Sequence, residues 1–133
     1  MLQLLTACLV AAEPSVTDFH DDAGWVVGEL AERGCSVARP CAVWDTGRFA
    51  DGPPQIAVGR PCRGCATPAK LAGVLGDSFE GTTAVLAREN PLFVTLAELG
   101  CADRDACHVA VAGDTLLLVS RATNERRSVL ATR

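Results

Sequence analysis

The residues of this chain best suited to chemistry are its seven cysteines. With Cys8 set aside, the other six fall into three local pairs: Cys35 and Cys41, Cys62 and Cys65, and Cys101 and Cys107. The first and third pairs have a C-x5-C spacing, and the second has a C-x2-C spacing. Cysteines in such pairs can form disulfides, bind a metal ion or carry out thiol–disulfide exchange with a substrate.

Disulfide formation is the first interpretation, because an even number of cysteines in short-range pairs is typical of exported domains. We therefore predict that the six cysteines form disulfides within their local pairs. In the chain-entropy model, closing a loop of about seven residues destabilises the unfolded chain by roughly 2 kcal/mol. That contribution is a sizeable share of the roughly 5–15 kcal/mol by which a typical domain is stable.

A second interpretation makes Cys62 and Cys65 a thiol–disulfide redox site. Their C-x2-C motif follows a predicted strand and precedes a predicted helix, and Arg60 and Arg63 lie beside Cys62 in sequence. A helix N-terminus and nearby guanidinium groups lower a thiol pKa and favour the nucleophilic thiolate. The chain lacks the long βαβ unit and the aromatic residue before the motif that are usual in redox domains.

A third interpretation is a zinc site that combines Cys35, Cys41, Cys62 and Cys65. Zinc takes four tetrahedral thiolates, and two pairs separated by a loop are the usual source. The C-x5-C spacing is wide for such a site, since structural zinc pairs are normally separated by two to four residues. Zinc is favoured in the cytosol and disulfides in an oxidising compartment.

Residues 1–12 bear on the choice of compartment. They carry no charge, end in small residues and are followed by Glu13 and Pro14, as is typical of a secretory signal and its cleavage zone. Residues 5–8, Leu-Thr-Ala-Cys, also resemble a bacterial lipobox, in which Cys8 would carry the lipid. No Lys or Arg precedes the apolar run, so the alternative is a buried first element of a cytoplasmic protein.

We therefore predict a signal or lipoprotein signal in residues 1–12 and a single disulfide-stapled domain in residues 13–133. The protein is expected to be exported, either periplasmic or anchored to the outer membrane, with a cytoplasmic location as the alternative.

Composition limits the classes of partner. The 133 residues, 49% of them hydrophobic and 21% charged, suit one folded domain. The net charge of −4, without a basic block, gives no electrostatic basis for binding nucleic acid or an anionic membrane. We expect a non-enzymatic bacterial envelope protein that binds a protein partner, touches the membrane only through a lipid anchor and needs no cofactor, zinc being the alternative.

Elements that would position the cysteines follow from periodicity and capping signals. A first helix is predicted from a cap at Asp21 or Asp22 to residue 33, a second from a cap at Thr67 to about residue 79, and a third from Asn90 to residue 99. Strands are predicted at 42–44, 55–59, 82–87, 108–112, 115–121 and 128–132. The fold class is α+β, with a mixed sheet that ends in an antiparallel meander and two or three helices packed on one face.

The two C-x5-C pairs lie in matching surroundings, 66 residues apart. The first cysteine of each pair is the last residue of a Leu-Ala-Glu-x-Gly-Cys sequence. Gly34 and Gly100 therefore lie at the position where a helix ends in a left-handed residue. The match predicts one kind of helix-to-strand junction, closed by a local disulfide and used twice. Internal duplication and convergence both explain it.

Residues 55–133 also carry a family resemblance. Arg88-Glu89-Asn90 opens a helix after a strand, and residues 113–116, Gly-Asp-Thr-Leu, form a hairpin before the closing strand. This order resembles the domain shared by curli-assembly (CsgG-type) proteins, TolB amino-terminal domains and penicillin-binding-protein activator lipoproteins. The resemblance implies that fold and an envelope setting, without catalytic residues. Residues 13–54 have no counterpart in it, and Arg60-Pro61-Cys62 replaces the end of the family's first strand.

Overall fold

The computed structural model of the protein describes residues 18–20, 23–47, 55–65, 67, 69–76 and 78–131. They form three helices and seven strands. In chain order these are β1 (Asp18–His20), α1 (Gly24–Glu32), β2 (Cys41–Asp45), β3 (Gln55–Pro61), α2 (Ala69–Leu75), β4 (Phe79–Leu86), α3 (Pro91–Leu99), β5 (Cys107–Ala112), β6 (Thr115–Ser120) and β7 (Arg126–Leu130).

The strands form one sheet in the order β1-β4-β3-β2-β5-β6-β7. Strands β2 to β7 pair antiparallel throughout, and β1 adds three residues in parallel beside the end of β4. The α+β class is therefore confirmed, whereas the six long strands do not form the mixed sheet that we predicted. The connection through α2 explains this arrangement. Because β4 starts at the same end of the sheet at which β3 ends, β4 runs antiparallel to β3.

Burial divides the sheet into two halves. In β3 every residue from Gln55 to Gly59 is buried, and the first four residues of β2 are buried as well, so this half is covered on both faces. In β6 the buried positions alternate strictly, with Leu116, Leu118 and Ser120 inside. The meander β5–β6–β7 is therefore covered on one face and open on the other.

Two helices pack on the covered face of the meander. Helix α1 buries Val26 and Leu30, and helix α3 buries Leu92, Phe93 and Leu96. The third helix, α2, contacts β4 and buries Leu75.

The end of α2 contacts side chains on the face of the sheet opposite to the one that α1 and α3 cover. Arg104 donates a hydrogen bond to the Leu75 carbonyl at 3.0 Å, and its guanidinium lies 5.6 Å from the centre of the Phe79 ring. Strand alternation puts Phe79 on the face opposite to its neighbour Glu80, which contacts α1. The helices therefore do not all lie on one face.

The predicted bounds of helix α3 are confirmed, because the residues at both of its ends are strong capping residues. The Asn90 side chain accepts a hydrogen bond from the Leu92 amide at 2.9 Å, Pro91 occupies the first turn, and Gly100 ends the helix with φ of 76°. The hairpin at Gly113-Asp114 is also confirmed, joining β5 to β6.

The other two helices differ from the prediction at their ends. Helix α1 begins at Gly24 with Ala23 at the N-cap and no side-chain capping bond, rather than with an aspartate cap. Helix α2 ends at Leu75, and Phe79 opens β4 instead of closing the helix. The Thr67 hydroxyl donates to the Phe79 carbonyl at 2.9 Å and accepts from the Phe79 amide at 3.2 Å.

Candidate functional site

The six cysteines beyond Cys8 are joined in the three predicted local pairs. Cys35 is bonded to Cys41, Cys62 to Cys65 and Cys101 to Cys107, with Cα–Cα distances of 5.6, 5.7 and 5.4 Å. These distances are in the normal range for a disulfide. The prediction of a disulfide-stabilised domain is therefore confirmed for this part of the chain.

The two C-x5-C disulfides close the same kind of junction. At the end of α1 the Cys35 amide donates to the Leu30 carbonyl at 2.9 Å, and at the end of α3 the Cys101 amide donates to the Leu96 carbonyl at 2.9 Å. Each of these bonds, with the left-handed glycine before it, forms a Schellman motif. The second cysteine of each pair opens a strand, and those strands, β2 and β5, are antiparallel neighbours.

The three disulfides differ in exposure. Cys35, Cys41, Cys101 and Cys107 are all 5% exposed or less, within the hydrophobic core. Cys62 and Cys65 are only partly buried. Since thiol–disulfide exchange requires direct access of a thiolate to sulfur, the Cys62–Cys65 disulfide is the accessible one of the three.

A polar cleft of about 360 Å³ lies beside that disulfide. Its lining residues come from the loop before β2, from the end of β3 and the residue after it, and from the start of β4: Arg39, Pro40, Arg60, Pro61, Cys62 and Glu80. The positively charged residues in its lining are Arg39 and Arg60. Arg63, between the two cysteines, is exposed near the same disulfide.

The charges around the cleft do not cancel. Glu80 is held by Arg33 of α1 at 2.9 Å, and Arg33 also contacts Glu29 at 3.0 Å. The guanidinium groups of Arg39 and Arg60 have neither a hydrogen bond nor an ion pair with the residues that the structure describes. Among the described residues, the charged groups that line the cleft or pair with its lining are three guanidinium groups and two carboxylates, a net positive charge on a chain whose net charge is −4.

An apolar groove of about 200 Å³ lies on the open face of the meander. It is lined by Val37, Pro40, His108, Val109, Ala110, Leu117, Val119 and Arg126. Val37 is 66% exposed, which is high for a large apolar side chain. Sequence analysis missed this groove, although the unbroken apolar run at residues 116–119 was a signal that both faces of β6 are apolar.

Strand β7 borders this groove and forms one edge of the sheet. It pairs with β6 on one side, and within the described ranges no strand pairs with its other side. Arg126, Ser128 and Leu130 are exposed, and Leu130 is 61% exposed. A free strand edge next to an apolar groove can accept an extended segment of another chain.

The neighbouring Arg127 is engaged on the other face of β7. Its guanidinium contacts Glu98 of α3 and Glu125, each at 2.7 Å. The hydrogen bonds that Arg127 donates to Glu98, followed by those that it donates to Glu125, raise the pKa of Arg127 above its usual value. Arg127 therefore stays charged and ties β7 to α3, whereas Arg126 has no such partner among the described residues.

The predicted zinc ligands Cys35, Cys41, Cys62 and Cys65 are placed in two separate disulfides. No group of three or more His, Cys, Asp or Glu side chains that could hold a metal ion occurs within the part of the chain that the structure describes. None of its described helices is long and apolar enough to cross a membrane.

Cys8 and the rest of residues 1–12 lie outside the described residues, so the predicted signal and lipid anchor stay predictions. No protein-family model, curated protein or solved structure matches the chain.

Proposed function

We propose that this chain is an exported, disulfide-stabilised interaction domain of the bacterial cell envelope, which binds a protein partner. The observation that carries the proposal is the pairing of six cysteines in three local disulfides, two of them in the core. Disulfides persist in the periplasm and outside the cell, whereas the cytosol keeps thiols reduced.

The partner's binding segment is proposed to be an extended chain that pairs with the free edge of β7. Its backbone would add a strand to the sheet, and its apolar side chains would cover the groove beside Val37, Leu117 and Val119. Arg126 supplies a positive charge at the rim, so an acidic residue in the segment is favoured.

The setting in the envelope is supported by the resemblance described above. From β3 onward the structure has the element order on which that resemblance depends, namely strand, helix, strand, helix and meander. Membership of the CsgG/TolB-like group and a lipid on Cys8 both stay proposals. Each is consistent with an exported domain that carries a binding surface and no catalytic group.

A photocrosslinking experiment in the native host tests the binding surface. A photoreactive residue at Val37 should crosslink to one partner, whereas the same residue at Val94 should not. Val94 is a matched control because it is also an exposed apolar residue, 41% against 66%, and lies on α3. Arg126→Glu should abolish the crosslink from position 37. Equal crosslinking from both positions, or no effect of Arg126→Glu, would contradict the proposal.

A second candidate function is thiol–disulfide exchange at Cys62 and Cys65. The partial exposure of this disulfide and the arginines beside it support this candidate, with a structural disulfide as the alternative. Cys62→Ser should then abolish any reduction of insulin or isomerisation of scrambled disulfides by the protein. Absence of both activities in the wild type would end this candidate, and would leave the binding function in place.

A further inference from the structure

We infer that the arginine-lined cleft beside Cys62 is a binding site for anionic thiols, which exchange preferentially with the Cys62–Cys65 disulfide. The inference deepens the second candidate function and rests on it. The substrate class is a thiol that carries a carboxylate or sulfonate group close to its sulfur.

Charge gives the first reason for this specificity. Arg39 and Arg60 line the cleft without a described carboxylate partner, and their two positive charges exceed the single net negative charge of the group formed by Arg33, Glu29 and Glu80. The cleft is open to solvent on a protein that is otherwise acidic, so an anion is attracted here and repelled over much of the remaining surface. A bidentate guanidinium–carboxylate contact would also orient the bound anion.

Position gives the second reason. Cys62 lines the cleft, and Cys65 does not. The backbone around Cys62 is held in place, because its amide donates to the Ser78 carbonyl at 2.8 Å and Pro61 is the last residue of β3. An anion bound by Arg39 and Arg60 therefore places its thiol near Cys62 rather than near a buried cysteine.

The exchange proceeds in two balanced steps. In the first, the thiolate of the anionic thiol attacks the Cys62 sulfur, the Cys62–Cys65 bond breaks, and Cys65 leaves as a thiolate that takes a proton from water. In the second, another thiolate attacks the small-molecule sulfur of the mixed disulfide and releases the Cys62 thiolate. Two anionic thiols are oxidised to their disulfide, and the protein disulfide gains two electrons.

The test compares three small thiols on the full-length oxidised protein. 2-Mercaptoethanesulfonate is anionic, 2-mercaptoethanol is neutral and cysteamine is cationic. Reduction of Cys62–Cys65 is followed by acid quenching, alkylation and mass spectrometry, and each rate constant is expressed per thiolate and corrected for thiol nucleophilicity. At distances of several ångströms in water, each guanidinium is expected to change the rate about threefold. The anionic thiol should therefore react about tenfold faster than the neutral one, and the cationic thiol more slowly.

Two further measurements make the result specific to the cleft. The preference should fall to near unity in molar salt, where the Debye length is about 3 Å. It should also be lost in the Arg39→Gln/Arg60→Gln double variant and kept in Arg121→Gln, which changes an exposed arginine after β6 and outside the cleft. Equal rate constants for the three thiols, or an unchanged preference in the double variant, would overturn the inference.

Failure of the underlying function has a different signature. If Cys62 and Cys65 stay fully oxidised in the native host, the protein is not a redox protein there, whereas the measured preference for anionic thiols would still support the cleft as their binding site. If the cysteines cycle in the host but the three thiols react equally, the redox function survives and the anionic substrate class is wrong.

Discussion

Mild reduction of the native protein should open its disulfides in a fixed order. With millimolar dithiothreitol and no denaturant, we expect Cys62–Cys65 to be reduced first, while Cys35–Cys41 and Cys101–Cys107 stay closed. Cys62 and Cys65 are partly exposed, whereas the four cysteines of the other two pairs are 5% exposed or less.

The size of the difference follows from what a reductant needs in order to reach a buried sulfur. Both buried disulfides lie in the one core cluster, so the thiolate can attack them only when that core opens. If opening costs about 5 kcal/mol, the low end of domain stability, the open population is on the order of 10⁻⁴. The buried disulfides should then react at least about a thousand times more slowly.

The assay quenches the reaction with acid at increasing times, alkylates the free thiols and quantifies each cysteine-containing peptide by mass spectrometry. In denaturant the three rates should converge, which shows that the fold causes the protection. If either buried disulfide is reduced within tenfold of the Cys62–Cys65 rate in the native protein, the assignment of exposed and protected disulfides is wrong.

Four variants test the packing and the local structure by chemical denaturation. Gly59→Ala should cost about 3 kcal/mol, because its Cβ would lie 2.6 Å from a backbone carbon of the neighbouring strand; Gly28→Ala, in an open position of α1, should instead add about 0.5–1 kcal/mol. Asn90→Ala removes the N-cap of α3 and should cost about 1 kcal/mol, so an unchanged unfolding midpoint would contradict the cap. Cys101→Ala combined with Cys107→Ala reopens a seven-residue loop and should cost about 2–3 kcal/mol, and a loss below about 0.5 kcal/mol would show that the disulfide does not stabilise the domain.

The parts of the fold that could be predicted are those with local signals. Asn90 and Pro91 start α3, Gly100 ends it, and Gly113 turns the hairpin, since each of these residues acts through its own backbone or its near neighbours. The disulfide pairing was predictable for the same reason, because each cysteine is bonded to the nearest one in sequence.

Features that depend on distant residues were not predictable. Thr67 is a residue type that often caps a helix, yet its hydroxyl forms a hydrogen bond with the backbone of Phe79, which follows α2 in the sequence. The β1–β4 pairing joins residues more than 60 positions apart, such as Asp18 and Ala84. No short-range pattern in the sequence contains that information.

The candidate site also combines features with local signals in the sequence and features that depend on distant residues. The C-x2-C motif and its flanking arginines were visible in the sequence, but the contribution of Arg39 comes from the loop before β2. Its position in the cleft depends on the pairing of β2 with β3. The apolar groove was missed because Val37 and Pro40, which precede β2, reach β5 only when β2 pairs with β5.

A count of free thiols shows whether this protein is a disulfide-stapled domain of an oxidising compartment. The protein is isolated from its native host with an acid quench and denatured without reductant, and its free thiols are then alkylated near neutral pH and counted by mass. We expect that Cys35, Cys41, Cys101 and Cys107 carry no free thiol and that any reduced cysteine is Cys62 or Cys65, with Cys8 removed with its signal or lipidated. Six or seven free thiols, with bound zinc or an unprocessed Met1, would contradict it.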